Sequence, residues 1–371
     1  MSTSIVPRPS PYTTLKAARK QIRLLTIHPE SLEGKISCSL EVESLKDRPH
    51  YQAISYTWGP APAQTPFIYL NDIAHPVRPN LLMVLRTLRA RHQVHPIWVD
   101  ALCINQENTE EREQQVGIMG EIYRDSWKVI AWLGEPDAIT DWAMRSNGSN
   151  VPELVPNISP VSAAIRELTK INISKYRQHL EKQTYALRLL KLEYWNRLWI
   201  IQEIVLAGRL VLLLGSDLIE WQHAKTVLVS IRRSGMSWIL PEICKRVHRI
   251  FRLDFIMTPD PSLRVRPRVP SISFLLDVSQ DSQCEDPRDK IFGILAIATS
   301  AAREQIPIDY SISLFEVYGN VIRFFLSSND TDSYYDYDSD ELIKFSQLLQ
   351  RSLLGPDFAP SCVGANGSRT P

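Results

Sequence analysis

The sequence lacks a long apolar run, a regular cysteine pattern and a glycine-rich nucleotide motif. No stretch approaches the roughly 20 apolar residues that cross a bilayer, and the prolines and arginine at positions 7–9 interrupt any signal-peptide core. The five cysteines are scattered, odd in number and free of CxxC spacing, which argues against a disulfide framework or a zinc site. We therefore expect a reduced, cytoplasmic protein with no membrane span.

The charge balance does not indicate a polyanionic partner. The formal net charge is +1, with 44% hydrophobic and 22% charged residues, and no basic stripe is interleaved with aromatics, so no nucleic-acid partner is predicted. Neither GxGxxG nor GxxxxGK[ST] is present, which excludes a Rossmann or P-loop nucleotide site. His92 and His95 have no third ligand at metal spacing, so no metal is expected.

Apolar strands alternate with amphipathic helices in the first third of the chain. Strands are predicted near 22–27 and 36–42, and then at Tyr51–Trp58, Ile97–Val99 and Trp127–Leu133. Helices are predicted at 81–91 and 108–123, the second with Asn108 as its N-cap. This order predicts an α/β fold with a mostly parallel sheet and flanking helices.

The rest of the chain is predicted to be largely helical. A continuous helix is expected over 194–207, then a hairpin over 210–221, helices over 288–298 and after Ser313, and a disordered tail after Leu354. A loop is expected at 147–160, a polar helical stretch at 174–191, and an acidic, solvated stretch at 329–341. The predicted divisions are an N-terminal segment 1–46, a main domain 47–207, an α-rich extension 208–354 and the tail 355–371. Gly117 and Gly120 are expected to permit close packing of their helix.

Glu203 is the most informative residue, because the predicted helix around it is apolar on nearly every side. A buried carboxylate must be paired, hydrogen-bonded or protonated. Glu203 is therefore either a structural partner of Arg197, Arg209 or another cation, or a working acid. At helical spacing it lies on the same strip as Trp199.

Two strand ends concentrate polar and aromatic side chains. One bears Ser55, Tyr56 and Trp58, and the other bears Asp100 and Asn105. The carboxyl ends of parallel strands form the ligand crevice of an open α/β sheet, so these residues are candidates for binding a ligand. The alternative is that they are turn and cap residues around a core rich in indoles.

Several long motifs resemble the HET domain of fungal heterokaryon-incompatibility proteins. The similarity covers roughly 47–207, with a further stretch downstream that often follows this domain. The motifs are Ala53–Gly59, Trp98–Gln106, a helix containing Glu113, Gln114, Gln115, Met119, Ile122 and Tyr123, then Val129–Gly134, Trp195–Glu203 and Asp286–Gly293.

The resemblance implies a role in non-self recognition and programmed cell death. The family is also distantly similar to the TIR domain, a flavodoxin-like α/β fold. TIR domains that hydrolyse NAD carry a catalytic glutamate four residues after a tryptophan, and Trp199 and Glu203 have that spacing. The resemblance thus implies Glu203 as a candidate catalytic residue and NAD as a candidate substrate, with Trp199 among the ligand-binding candidates. The alternative is a non-catalytic module that self-associates or recruits protein partners.

Overall fold

The computed structural model describes residues 10–135, 192–225, 249, 269–327 and 339–355, apart from residues 33, 216 and 223. The strands are β1 (Gln21–Leu32), β2 (Lys35–Ser44), β3 (Gln52–Tyr56), β4 (Phe67–Leu70), β5 (Ile73–Pro76), β6 (Ile97–Trp98), β7 (Lys128–Gly134), β8 (Leu210–Leu214) and β9 (Asp217–Glu220). The helices are α1 (Pro79–Ala90), α2 (Asp100–Cys103), α3 (Thr109–Asp125), α4 (Ile200–Val205), α5 (Ile272–Ser279), α6 (Asp289–Leu295), α7 (Ser300–Gln305), α8 (Leu314–Ser327) and α9 (Ser339–Leu354).

The strands form one mixed sheet in the order β5-β4-β2-β1-β6-β3-β7-β8-β9. Its centre, β6-β3-β7-β8, is entirely parallel. The chain moves from β3 to β6 on one side and then returns to β7 on the other, which is the strand order of doubly wound flavodoxin-like sheets. The predicted α/β fold and its parallel core are confirmed, and the carboxyl ends of β3 and β7 meet where the winding direction changes.

Antiparallel strands extend this parallel core on both sides. β1 pairs with β2 and with β6, and β9 pairs with β8. The short hairpin of β4 and β5 joins the sheet beside β2, and it was not predicted. Its two four-residue strands are joined by a turn at Asn71 and Asp72, both of which have positive φ. Because β5 alternates half-buried and exposed residues, the apolar pattern of this strand is weak.

The predicted continuous helix over 194–207 is wrong. The chain forms a 3-10 turn at Glu193–Asn196, becomes extended at Arg197 and then enters α4. The break is held by backbone pairing with Gln283, which donates to the Asn196 carbonyl at 2.6 Å and accepts from the Leu198 amide at 2.8 Å. Tertiary pairing therefore overrides the local helical pattern.

The α4 segment lies between two apolar cores. One core covers the sheet and includes Trp195, Ile200 and Ile204. The other is formed by the helices after residue 270 and includes Leu198 and Ile201. Because successive residues of a helix point to different sides, this one short helix packs against both cores at once.

Gly120 and Gly117 differ in their surroundings. A Cβ on Gly120 would lie 2.5 Å from the Ala296 Cβ, so this glycine lets α3 approach the segment that follows α6. A Cβ on Gly117 would meet nothing within 4 Å, so the expectation of close packing is wrong for that residue.

Capping residues were predicted well in the described regions. Asn108 accepts from the Glu111 amide at 3.1 Å, and Ser313 and Glu316 cap α8 reciprocally. The predictions for 147–160 and 174–191, most of 329–341 and nearly all of the tail lie outside the described residues. None of the helices in the described part of the chain is both long enough and apolar enough to span a bilayer.

Candidate functional site

Glu203 is buried at the carboxyl end of β3. It lies in the first turn of α4, is 1% exposed, and accepts a hydrogen bond from the Ser55 hydroxyl at Oε2. Arg197 donates to the same carboxylate, with Nη1 3.3 Å from Oε2 and Nη2 3.4 Å from Oε1. The carboxylate is therefore both ion-paired and hydrogen-bonded, as a buried charge requires.

Tyr194 extends this arrangement by one hydroxyl. Its OH lies 2.7 Å from Ser55 Oγ, and both side chains are buried. Since Ser55 has a single hydroxyl proton and donates it to Glu203, Tyr194 is the donor to Ser55. Burial, and then the negative charge of Glu203, raise the pKa of Tyr194 well above its usual range. The three groups form a directed chain of hydrogen bonds that ends on the carboxylate.

Asp100 supplies a second carboxyl group to this region. It is the first residue of α2, which begins directly after β6, and its Oδ2 accepts from Trp58 Nε1 at 3.0 Å. Burial raises the pKa of Asp100 to about 6, with Glu203 adding to the rise and Arg197 opposing it. A carboxyl group that changes charge near neutral pH is a common property of functional sites.

Arg197 connects the two acids electrostatically. Burial alone would lower the pKa of its guanidinium, but the carboxylates of Glu203 and Asp100 raise it above its ordinary value. One cation thus acts on two acidic groups and is hydrogen-bonded to Glu203. The extended backbone at Arg197, created by the pairing with Gln283 described above, places this guanidinium beside the sheet.

Tyr56 lies beside the same charges. Its side chain is 2% exposed, and burial followed by the charge of Asp100 raises its pKa well above the usual value. The structure therefore brings five of the seven candidates into one region, and they are Ser55, Tyr56, Trp58, Asp100 and Glu203.

Trp199 and Asn105 make their contacts elsewhere. Trp199 is half-buried, and its Nε1 donates to Asp289 Oδ2 at 3.3 Å rather than to Glu203. The backbone N–H of Asn105 donates to Glu111 Oε1 at 2.7 Å, and the side-chain Oδ1 of Asn105 accepts from the backbone N–H of Glu107 at 3.3 Å. Glu111 in turn forms a buried ion pair with Arg23.

Two residues were not identified from the sequence: Tyr194, which belongs to this region, and Asp289, which is the partner of Trp199. Tyr194 directly precedes the Trp195–Glu203 motif, and the sequence pattern indicates only that it belongs to an apolar helix. Asp289 lies in the downstream Asp286–Gly293 motif, and it accepts from both Trp199 and the Tyr310 hydroxyl, the latter at 2.6 Å. Motif membership was the available signal for Asp289, but nothing local indicates which side chain it would contact.

The arrangement is suited to stabilising a developing positive charge. Among the described residues, no group of three or more His, Cys, Asp or Glu side chains has the geometry to hold a metal ion. A buried carboxylate with an adjacent hydroxyl chain can stabilise a developing positive charge or hold the hydroxyl groups of a sugar.

Comparison with known proteins shows what this part of the chain is similar to. Residues 51–203 match the family model of the heterokaryon incompatibility protein (HET). The chain is 25% identical over 370 residues to heterokaryon incompatibility protein 6, OR allele, of Neurospora crassa, an alignment that covers 83% of this chain and 52% of the relative. The chain thus spans about half the length of the curated relative it matches. No solved structure matches the chain significantly.

Proposed function

Because residues 51–203 match the HET family model and the chain is similar to a heterokaryon incompatibility protein, we propose that it is a HET-domain protein that acts in fungal heterokaryon incompatibility as a cytoplasmic cell-death effector. We further propose that the effector activity is TIR-like hydrolysis of NAD at Glu203. The protein partners that trigger it would be other components of incompatibility signalling. The observation that carries the proposal is the buried contact between Ser55 and Glu203 at the point where the winding of the sheet reverses.

The proposed reaction breaks the bond between nicotinamide and its ribose. The bonding electron pair leaves with the nicotinamide nitrogen, which becomes neutral, and water adds to the ribose C1 and releases a proton. The intermediate sugar has oxocarbenium character, so the Glu203 carboxylate would stabilise its positive charge. Nicotinamide needs no general acid to leave, which fits a site whose carboxyl group is ion-paired with Arg197.

The position of the acidic cluster supports this assignment. Ligands of doubly wound sheets bind outside the carboxyl ends of the strands at the switch point. Ser55 and Tyr56 end β3, and Asp100 follows β6 immediately. The pKa of Asp100 near 6 gives the site a second group able to hold or release a proton.

The second candidate function is a non-catalytic signalling module that self-associates or recruits partners. It is favoured by the burial of Glu203 at 1% exposure and by the satisfaction of its oxygens by Arg197 and Ser55. A carboxylate of this kind also occurs as a structural ion pair.

Incubation of concentrated full-length protein with NAD, followed by detection of free nicotinamide, separates the two functions. Wild type should release nicotinamide, and Glu203→Gln should abolish release because it keeps the shape and removes the charge. Glu220→Gln is the matched control, since Glu220 pairs with Arg209 on the surface. Expression of the same variants in fungal cells should show toxicity in parallel. A folded Glu203→Gln variant that still kills cells at equal expression would assign Glu203 a structural role.

A further inference from the structure

Arg78 is a partly exposed cation beside the buried acidic region. It is the N-cap residue of α1, and its guanidinium lies over the Trp58 ring, 5.1 Å from the ring centroid. Trp58 is itself held by its hydrogen bond to Asp100. The charge of Arg78 acts on Tyr56 together with those of Asp100, Arg197 and Glu203. Arg78 therefore belongs to the same electrostatic region, but on its solvent side.

The Arg78 side chain is held in place on two sides. Its Nη1 donates to the Gly59 carbonyl at 2.6 Å, and its guanidinium stacks on the Trp58 indole in a cation–π contact. The loop after β3 is fastened to the same helix end, because Asn80 Nδ2 donates to the Thr57 carbonyl at 2.9 Å. Gly59 has φ of +74°, and a Cβ there would lie 2.8 Å from Asn80 Nδ2, so only glycine permits this close approach. The guanidinium is thus preorganised.

The only ion pair that Arg78 makes among the described residues is a weak one. Its Nη1 lies 3.4 Å from Glu285 Oε1, and the two side chains are 32% and 77% exposed. A long, solvent-exposed pair of this kind contributes little and exchanges readily. The first turn of α1 contains no acidic residue, so the positive end of the helix adds to the field of Arg78.

We infer that Arg78 binds the diphosphate of the dinucleotide whose glycosidic bond faces Glu203, and that Glu285 occupies the same guanidinium when the ligand is absent. This inference rests on the proposed function for the identity of the ligand. A guanidinium presents a planar fork that matches phosphate oxygens, and the indole keeps that fork oriented. Glu285 lies just before the Asp286–Gly293 motif, so the helical region supplies an internal competitor for the phosphate.

Calorimetric titration with ADP-ribose tests the inference, since this probe has the diphosphate but lacks the bond that would be cleaved. Wild type should bind it. Arg78→Gln should weaken binding about 10- to 100-fold, which is the usual effect of losing one hydrogen-bonded charge. Arg78→Lys should recover part of the affinity because it keeps the charge without the fork. Glu285→Gln should bind severalfold more tightly because it removes the competing carboxylate, and an affinity equal to that of wild type would overturn the role of Glu285.

Two further measurements distinguish phosphate recognition from a loss of folding. Inorganic pyrophosphate should displace ADP-ribose from wild type, whereas adenosine should not. Thermal melting reports any damage from the lost Gly59 contact, and partial rescue by Arg78→Lys separates charge from packing. Where NAD is cleaved, Arg78→Gln should raise KM and leave kcat unchanged.

The outcomes separate this inference from the proposed hydrolysis. Equal ADP-ribose affinity of wild type and folded Arg78→Gln overturns the role of Arg78, even where nicotinamide is released. A wild type that does not bind ADP-ribose overturns it as well. Binding that depends on Arg78, without nicotinamide release, supports the phosphate site and rejects the hydrolytic function alone.

Discussion

The indole Nε1 of Trp199 donates a hydrogen bond to Asp289 Oδ2 across 3.3 Å, and the two residues lie 90 positions apart in the chain. Trp199 immediately precedes α4, whose Glu203 amide donates to the Trp199 carbonyl at 3.3 Å. Asp289 opens α6 in the helical core. This contact connects the helix of the candidate site to the region that follows the matched segment 51–203.

Substitution of Trp199 should separate its packing from its hydrogen bond. Trp199→Phe removes the N–H donor and part of the indole but keeps an aromatic ring, and it should lower the free energy of unfolding by about 1 kcal/mol or more. Trp199→Ala should cost about 3 kcal/mol, the lower end for a large aromatic residue, because the indole is only half-buried. Urea denaturation measures both. If the Phe effect is unchanged in an Asp289→Ala background, which removes the acceptor, the hydrogen bond is not its source.

Stability should fall as pH rises from about 4 to about 7. Burial raises the pKa of Asp289, and likewise of Asp100, from 3.8 to about 6. The folded state holds these protons more tightly than the unfolded state. The resulting stabilisation is therefore complete at pH values below the ordinary pKa, and it is lost as the pH rises through the raised pKa of the folded state. Each group should contribute about 2–3 kcal/mol to this loss.

Urea midpoints measured across this pH range test the assignment. Asp289→Asn should remove about half of the slope, and Asp100→Asn should remove most of the rest. A double variant that keeps the full wild-type slope would show that other groups are responsible.

The two glycines of α3 offer a matched pair. Gly120→Ala should destabilise by about 1–3 kcal/mol, because its Cβ would overlap Ala296. Gly117→Ala in the same helix should stabilise by about 0.5–1 kcal/mol, since its Cβ meets open space and alanine favours the helix. Thermal melting of the two variants should therefore move in opposite directions. Equal shifts would mean that α3 does not approach Ala296 this closely.

The Arg197–Glu203 pair should show strong coupling. Removing either partner leaves the other charge buried and unpaired, so Glu203→Gln and Arg197→Gln should each cost about 3–5 kcal/mol. The double variant should be less destabilised than the sum of the two, by about 1–3 kcal/mol. Additive effects in this double-mutant cycle would show that the two side chains do not interact in solution.

The parallel core was predictable because its strands and helices have strong, regular apolar patterns. Ser55 and Asp100 could also be placed at strand ends from the sequence, since each directly ends or follows an apolar strand. The same reasoning could not detect the β4–β5 hairpin, whose four-residue strands are half exposed.

Long-range contacts were beyond local pattern reasoning. Ser55 and Glu203 are 148 positions apart, and their contact depends on the break at Arg197. That break arises from pairing with Gln283, which no feature of the 194–207 segment indicates. Helical spacing predicts that the Trp199 indole lies beside Glu203, whereas in the fold it donates to Asp289.

The strand order has a consequence for exchanging segments between related chains. β6 lies beside β1, and β7 lies beside β8, yet β1 and β8 are both outside residues 51–203. A hybrid in which only residues 51–203 were exchanged would place the new β6 and β7 beside the original β1 and β8. Mismatched pairing at these two borders would leave unpaired strand edges, which promote aggregation. Hybrid chains that fold should therefore carry the flanking strands together with the matched segment.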